Sequence, residues 1–349
     1  MRRAVNCKKE TLELAYGYDE EEKWKPIIQR SKVVRIPENK EIPTEDELAE
    51  LSTVWAIMER DQIEIKDNSQ VVDQIKTSPK FACNFPLDVL ILDSEKEEAE
   101  QISGGSGVAT FASVDVKPDC LKKRDVGDIM PGDHEKCESW EQFFIKVSQS
   151  PFIPSNALIL IDRYLFLQQN GATDYPDAFY NLEHILNSIL PDKLACDYHV
   201  LIVVQAFPKK NQEYDITSLY NAFETIRCKL NRPYKIVIEL ATLSLNASIF
   251  PYTHDRKLIS NYFVGDTSHG FKVFKSSSGT PKFVFQKLSY ECIFHEVDPG
   301  RFPTMSVQES YLTVLHDYFM KQIDEKFCKC FNTDGNPCRP NELRNRLLR

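Results

Sequence analysis

The chain has 349 residues, of which 42% are hydrophobic and 27% charged, a balance that is typical of a globular protein. At roughly 100–200 residues per domain, the length predicts two domains or one large domain with additions. The formal net charge of −9 opposes long-range attraction to nucleic acid or anionic lipid, so a phosphate site would have to be a local basic pocket. No apolar run reaches the ~20 residues of a membrane helix. The first residues also lack the apolar segment of a secretory signal, so we expect a cytoplasmic protein without a membrane span.

The ten cysteines are scattered along the chain without the spacing of a disulfide framework. In a cytoplasmic protein we expect reduced thiols, several of them buried as small apolar side chains. Cys328, Cys330 and Cys338 come nearest to a metal-binding pattern, but they lack the paired spacing and the fourth ligand of a zinc site. We therefore expect neither a bound metal nor a cofactor.

The first half of the chain is the less regular half. Residues 1–85 predict a polar N-terminal segment with a short strand at Lys32–Ile36 and a helix at Glu45–Arg60. Residues 86–153 predict an irregular extension of the main domain that begins with the strand Asp88–Leu92. The glycine run Ser103–Gly107 lacks the Lys-Ser/Thr pair that ends a phosphate-binding loop, so we interpret it as a flexible turn.

Apolar runs that alternate with amphipathic stretches between residues 154 and 327 predict an α/β domain. Continuous apolar runs are typical of strands buried on both faces, and three occur here: Ala157–Ile161, His199–Val204 and Lys235–Leu240. Apolar side chains at helical spacing fill the two stretches between them, Asp177–Leu190 and Asp215–Leu230. This alternation predicts a mixed, largely parallel sheet flanked by helices.

The remainder of the chain predicts antiparallel strands, a helix and a tail. Strand-like pieces at Leu258–Val264, Phe271–Phe274 and Lys282–Lys287 are spaced closely enough for antiparallel pairing. Val307–Phe327 has the apolar spacing of a closing amphipathic helix. Residues 328–349 carry four arginines among polar residues, and we expect a solvated basic tail.

Side chains that can act as bases, nucleophiles or anion ligands cluster in the segment that follows the apolar run Lys235–Leu240. It contains a base or nucleophile, a fixed cation and an amide, which are groups that handle phosphate: His254, Asp255, Arg256, Asn261 and His269. A structural interpretation also exists, in which His254 and Asp255 cap the strand that begins at Arg256. Asp162 and Arg163 follow the strand Ala157–Ile161 at its carboxyl end, where open parallel sheets bind ligands. They predict either a supporting part of the site or a salt-bridged corner.

The register His254-x-Arg256-x4-Asn261 resembles the His-x-Lys-x4-Asp motif of phospholipase D-like enzymes, with Arg in place of Lys and Asn in place of Asp. Thr253–Arg256 and His269–Phe274 are also similar, in order, to the C-terminal domain of eukaryotic proteins that carry a microtubule-interacting-and-trafficking domain. Prokaryotic relatives of that domain look similar over a longer stretch, including an Ile-Asp-Arg after a buried strand, as at Ile161–Arg163. The resemblance covers about residues 154–326.

The resemblance implies a phospholipase D-like fold and a phosphodiester ligand, either nucleic acid or a phosphorylated small molecule. The altered motif favours binding over turnover, with Arg256, Asn261 and His269 as phosphate ligands and Asp162 and Arg163 as supporting residues. The prokaryotic relatives imply a role in antiviral defence or mobile-element biology beside a partner protein.

Two alternatives remain open. The first is a metal-independent phosphodiesterase or nuclease. In this family one His attacks phosphorus and a second protonates the leaving oxygen, so a chain with one motif would act as a homodimer through His254. Asp255 or Asp162 would then orient the imidazole. The second alternative is a non-catalytic structural adaptor.

Overall fold

The computed structural model describes residues 5–6, 33–36, 64–67, 71–92, 94–112, 139–147, 155–168, 172–207, 213–249, 256–282, 288–294, 303–321 and 327–349. Their strands form a sheet of five and a sheet of eight. The helix predicted at Glu45–Arg60 lies outside the described residues. Within these ranges no helix is long and apolar enough to cross a membrane.

The five-stranded sheet is parallel throughout, in the order β3-β2-β1-β4-β5 that doubly wound α/β sheets adopt. Its strands are β1 (Val5–Asn6), β2 (Val33–Ile36), β3 (Glu64–Asp67), β4 (Val89–Leu92) and β5 (Thr110–Ala112). The buried strand predicted at Asp88–Leu92 is confirmed as β4, and the short strand predicted at Lys32–Ile36 is confirmed as β2. Strands from both sides of residue 85 build this one sheet.

Two helices and a 3-10 turn accompany this sheet: α1 (Val71–Thr77), Pro79–Asn84 and α2 (Lys96–Ser106). The prediction of a flexible turn at Ser103–Gly107 was wrong, because this run ends α2. Gly107 caps the helix at φ +70°, and a Cβ there would lie 2.6 Å from the Ser155 backbone. The Gly105 carbonyl accepts a hydrogen bond from the Ala195 N–H at 2.7 Å, so contacts with the second sheet fix the helix end.

The eight-stranded sheet is mixed, in the order β11-β10-β9-β6-β7-β8-β12-β13. Its strands are β6 (Ala157–Ile161), β7 (Tyr198–Gln205), β8 (Ile236–Leu243), β9 (Arg256–Ser260), β10 (Phe263–Thr267), β11 (Leu288–Cys292), β12 (Cys328–Phe331) and β13 (Pro337–Cys338). The pairs β6–β7 and β7–β8 are parallel, and the other five are antiparallel. The α/β class is confirmed, but the expectation of a largely parallel sheet was wrong for this sheet.

Connection length explains the strand directions. The helices α4 (Tyr175–Ile189) and α5 (Ile216–Leu230) join β6, β7 and β8, and parallel neighbours need such crossovers. Only two residues join β9 to β10, which is enough for a hairpin alone. The single strand predicted at Leu258–Val264 was therefore wrong, because this stretch contains the turn of the antiparallel hairpin between β9 and β10. Phe271–Phe274 contributes only a single bridge, between Phe274 and Pro281, and residues 283–287 lie outside the described ranges.

Helices cover both faces of the eight-stranded sheet. On one face, α4 and α5 bury apolar side chains at the predicted spacing, including Leu182, Ile185, Leu219 and Phe223. On this side α3 (Trp140–Val147) packs beside α4, and the Trp140 indole donates to Asn181 Oδ1 at 2.9 Å. On the other face lies α6 (Pro303–His316), continued by a π turn at Asp317–Lys321. This confirms the predicted closing helix over most of its length.

The C-terminal segment completes the sheet, so the expectation of a solvated tail was wrong. Its strand β12 pairs with β8, and its residues Leu343, Leu347 and Leu348 are fully buried. The buried carboxylate of Glu239 in β8 accepts hydrogen bonds from the N–H of Arg344 at 2.9 Å and of Asn345 at 3.0 Å. The arginines suggested a solvated face, whereas the apolar residues between them decide where the segment lies.

The contact between His199 and this segment makes folding stability depend on pH. His199 of β7 is 9% exposed, and its Nδ1–H donates to the Arg344 carbonyl at 2.6 Å. Burial, together with the charge of Arg346, lowers the pKa of His199 from 6.5 to about 4. Between these values the unfolded chain binds a proton that the folded chain does not, so stability falls as the pH drops through this window.

We expect wild type to lose up to about 3 kcal/mol of unfolding free energy through His199 as the pH falls from about 6.5 to 4. The variant His199→Asn keeps a donor near the Nδ1 position but cannot titrate, so its stability should change less with pH. Urea denaturation at a series of pH values measures this difference. Identical pH slopes in the two proteins would contradict it.

Candidate functional site

Strand register brings predicted site residues to one edge of the eight-stranded sheet. β6 and β9 are antiparallel with Ile161 opposite Lys257, so Asp162 after β6 faces Arg256 at the start of β9. β7 runs parallel to β6, and its last residue, Gln205, lies at the same edge. We call this end of the sheet the carboxyl edge, because it lies beyond the carboxyl ends of β6 and β7. Ligands of α/β sheets bind at such edges.

Asp162 is a buried carboxylate, 1% exposed, that organises the carboxyl edge. Its Oδ1 accepts the Tyr164 N–H at 3.0 Å, and its Oδ2 accepts the Phe271 N–H at 2.7 Å. Burial raises the pKa of Asp162, while these two hydrogen bonds and the nearby charges of Arg256 and Lys272 act in the opposite direction. Asp162 therefore ties the end of β6 to the turn after β10.

Gly270 allows that turn to pass close to Asp162. Its φ is +97°, and a Cβ at this position would lie 2.7 Å from Asp162 Oδ2. The Gly270 carbonyl also accepts a hydrogen bond from the Thr267 hydroxyl at 3.2 Å. Both the backbone conformation and the space favour glycine here.

Arg256 is a half-buried cation at this edge. Its Nη1 donates to the Ser268 carbonyl at 3.1 Å, and its buried Nε has no hydrogen-bond partner in the structure. Within the described ranges, no carboxylate forms an ion pair with Arg256. A guanidinium has five N–H donors, and the described residues provide one hydrogen-bond acceptor for that of Arg256.

His269 is exposed in the turn that Arg256 contacts, one residue after Ser268. Lys272, two residues beyond Gly270, is used internally: its Nζ binds Asp174 Oδ2 at 2.9 Å and the Leu167 carbonyl at 2.6 Å. The structure therefore brings His269 and Arg256 to the same turn, whereas Lys272 is already neutralised.

Arg163 lies at the carboxyl edge but binds a neutral partner. Its Nε and Nη2 donate to Gln205 Oε1 at 3.0 and 2.8 Å, and its guanidinium lies 5.2 Å from the centroid of the Tyr164 ring. The salt-bridged corner between Asp162 and Arg163 is not formed, because Asp162 binds backbone amides instead. Sequence reasoning missed Gln205, although it ends a buried apolar strand just as Asp162 follows one.

Asn261 is fully buried at the other end of β9. Its Oδ1 accepts the N–H groups of Asn156 and Ala157 at 2.9 and 3.0 Å. Its Nδ2 donates to the Pro86 carbonyl at 2.6 Å and to Asn156 Oδ1 at 3.1 Å. The length of β9 separates Asn261 from Arg256 by roughly 16 Å. The structure does not bring Asn261 to Arg256, which corrects its expected role as a phosphate ligand.

The two predicted catalytic residues, His254 and Asp255, lie outside the described residues and stay predictions. The sulfur atoms of Cys328 and Cys330 are 3.4 Å apart, but among the described residues no group of three or more ligating side chains is placed to hold a metal ion. No protein-family model matches the chain, and no curated protein matches it. The resemblance to phospholipase D-like enzymes therefore stays a prediction from the motif.

We expect Gly270→Ala to lower the free energy of unfolding by about 1–3 kcal/mol, because a side chain at positive φ would press on the Asp162 carboxylate. Chemical denaturation measures the loss. The matched control is Gly104→Ala in α2, where a Cβ meets nothing within 4 Å. The free energy of unfolding of this control should rise by about 0.5–1 kcal/mol, since alanine is favoured over glycine within a helix. If both variants change the free energy of unfolding by the same amount, the contact with Asp162 does not constrain position 270.

Proposed function

We propose that the carboxyl edge binds a phosphate or phosphodiester group, with Arg256 as the principal ligand. The observation that carries this proposal is the state of its guanidinium, which is half-buried, anchored to one carbonyl and not neutralised by a carboxylate of the described residues. A planar guanidinium matches two phosphate oxygens, and charge-assisted hydrogen bonds of this kind are among the strongest in proteins.

The surroundings of Arg256 favour an anion despite the acidic chain. The neighbouring carboxylate of Asp162 points its oxygens at the Tyr164 and Phe271 amides and is sealed from solvent. His269 is exposed in the adjacent turn and places an imidazole at the same edge. Arg163, held by Gln205, adds a second guanidinium to the same edge.

The small number of basic side chains at the carboxyl edge favours a single phosphate group over an extended nucleic acid. Duplex binding depends on many Lys and Arg contacts distributed along the backbone. Among the described residues, the carboxyl edge offers two arginines and one histidine, in a chain of net charge −9. A phosphorylated small molecule or a short single strand needs fewer cationic contacts, so it suits these side chains better. The proposed function is binding. Hydrolysis through His254, a homodimer and a role in defence stay predictions from the resemblance.

Removing the Arg256 guanidinium should weaken binding of a phosphodiester probe by about 10–100-fold, the equivalent of one charged hydrogen-bonded contact. Calorimetric titration of the full chain with a thymidine dinucleotide and with inorganic phosphate measures this loss in Arg256→Ala. Arg256→Lys should retain part of the affinity, because it keeps the charge without the planar fork.

The matched control is Arg232→Ala, which removes the same charge from the opposite end of the sheet. Arg232 precedes β8 and contacts the Leu230 carbonyl and Asp192, far from the carboxyl edge. Its loss should leave affinity for either probe unchanged. The proposal fails if wild type binds neither probe, or if both arginine variants weaken binding equally.

A further inference from the structure

A cavity of about 770 Å³ lies at the junction of the two sheets, away from the carboxyl edge. Two thiols, Cys83 and Cys196, line it together with two cations, Lys80 and Arg346. Cys83 belongs to the 3-10 turn before β4, and Cys196 precedes β7, so the thiols come from different halves of the molecule. The proposed phosphate site uses none of these residues.

The two thiols are held together by a shared contact. Both sulfur atoms approach the carbonyl oxygen of Ser106, Cys83 Sγ at 3.4 Å and Cys196 Sγ at 3.9 Å. Ser106 is the last residue of α2, so its carbonyl lacks an intrahelical partner and is open to these donors. The pair is therefore prepositioned although it is not cross-linked.

The surroundings shift the pKa values of the two thiols in opposite directions. A Cys196 thiolate would accept a hydrogen bond from the Cys83 thiol, and this contact lowers the pKa of Cys196; Arg346 and Lys80 act in the same direction, whereas burial and Asp197 oppose them. The same contact and burial raise the pKa of Cys83. Because the thiolate is the nucleophilic form, these directions favour Cys196 as the attacking thiol and Cys83 as the one that follows.

We propose that Cys196 and Cys83 form a peroxide-reactive dithiol that closes to a disulfide within this cavity. The Cys196 thiolate attacks one oxygen of hydrogen peroxide, the O–O bond breaks, and hydroxide leaves and takes up a proton as water. Cys196 is then a sulfenic acid. The Cys83 thiol loses its proton and attacks the Cys196 sulfur, so that an S–S bond forms, the S–O bond breaks and a second water leaves. Two thiols are oxidised, and one peroxide is reduced to two waters.

A second thiol pair provides an internal comparison. Cys328 and Cys330 are also buried, with their sulfur atoms 3.4 Å apart, but they lie two residues apart on β12 and do not line the cavity. In an extended strand their Cα atoms are roughly 6.6 Å apart, near the upper limit for a disulfide. If proximity alone determined reactivity, hydrogen peroxide would oxidise both pairs at similar doses. The proposal expects the cavity pair to react first.

The test treats the full chain with hydrogen peroxide, alkylates the remaining thiols and identifies linked peptides by mass spectrometry. We expect a Cys83–Cys196 peptide, reversible by dithiothreitol, at peroxide doses that leave Cys328, Cys330 and the exposed Cys228 reduced. The variant Cys83→Ser should show several-fold more dimedone labelling of Cys196 than wild type, because its sulfenic acid is no longer resolved. The control Cys228→Ser should label as wild type does.

The proposal is overturned if peroxide oxidises Cys228 or the Cys328–Cys330 pair while no Cys83–Cys196 peptide forms. It is also overturned if Cys83→Ser shows no more dimedone labelling of Cys196 than wild type does, or if dimedone labels Cys83 rather than Cys196 in wild type and in Cys228→Ser. The wild-type peptide measurement needs no substitution, so it decides the question even where a serine variant fails to fold.

Discussion

The hydrogen-bonding requirement of one buried side chain, Asn261, determines how the two sheets meet. Its amide makes four hydrogen bonds, with the Pro86 carbonyl before β4 and with Asn156 and Ala157 at the start of β6. A buried polar group without its partner costs about 1–3 kcal/mol, so the amide is satisfied only when β4, β6 and the β9–β10 turn occupy these positions. The neighbouring Tyr262 adds a second tie between the sheets. Its hydroxyl donates to the Asp88 carbonyl at 2.6 Å and accepts the Ala109 N–H at 2.8 Å.

This junction links the two chemically capable regions of the molecule. β9 runs from Arg256 at the carboxyl edge to the residue before Asn261, so the junction fixes the strand that carries the proposed phosphate ligand. The Asn156 amide also donates to the Ser106 carbonyl at 2.8 Å, the atom that both cavity thiols approach. The proposed phosphate site and the proposed dithiol therefore lie at opposite ends of one packed unit, and the position of each depends on the packing at Asn261.

Local signals in the sequence were enough for the central elements. The apolar run Ala157–Ile161 coincides with β6, and the helical spacing in 177–190 and 215–230 places α4 and α5 within two residues of their ends. β12 could not be predicted in this way, because it contains the exposed Lys329 and its place depends on pairing with β8, far away in the chain. The same limit applies to the buried end of the chain, where Glu239 provides the partners for the last backbone amides.

The sequence indicated some residues of the candidate site, but it could not show which of them lie together, because that depends on strand register. The position after a buried strand identified Asp162 and Arg163, and the charge of Arg256 at the start of the next strand identified the main cation. The contact of Asp162 with the turn at Gly270 depends on strand register, which residue spacing does not reveal. Spacing also placed Asn261 with Arg256, because a count of residues does not show that they occupy opposite ends of one strand.

The place of Asn261 gives a structural reason for the amide at a position where the phospholipase D-like motif has Asp. At this buried position the side chain must accept two backbone N–H groups and also donate to the Pro86 carbonyl and to Asn156 Oδ1. An ionised carboxylate only accepts, so Asp would leave both acceptors without a donor and place a charge in the junction. Packing of the sheets therefore selects Asn, and residue 261 supplies no group that could orient an imidazole at the carboxyl edge. This placement agrees with the proposal of binding rather than turnover at Arg256, in which residue 261 has no catalytic role.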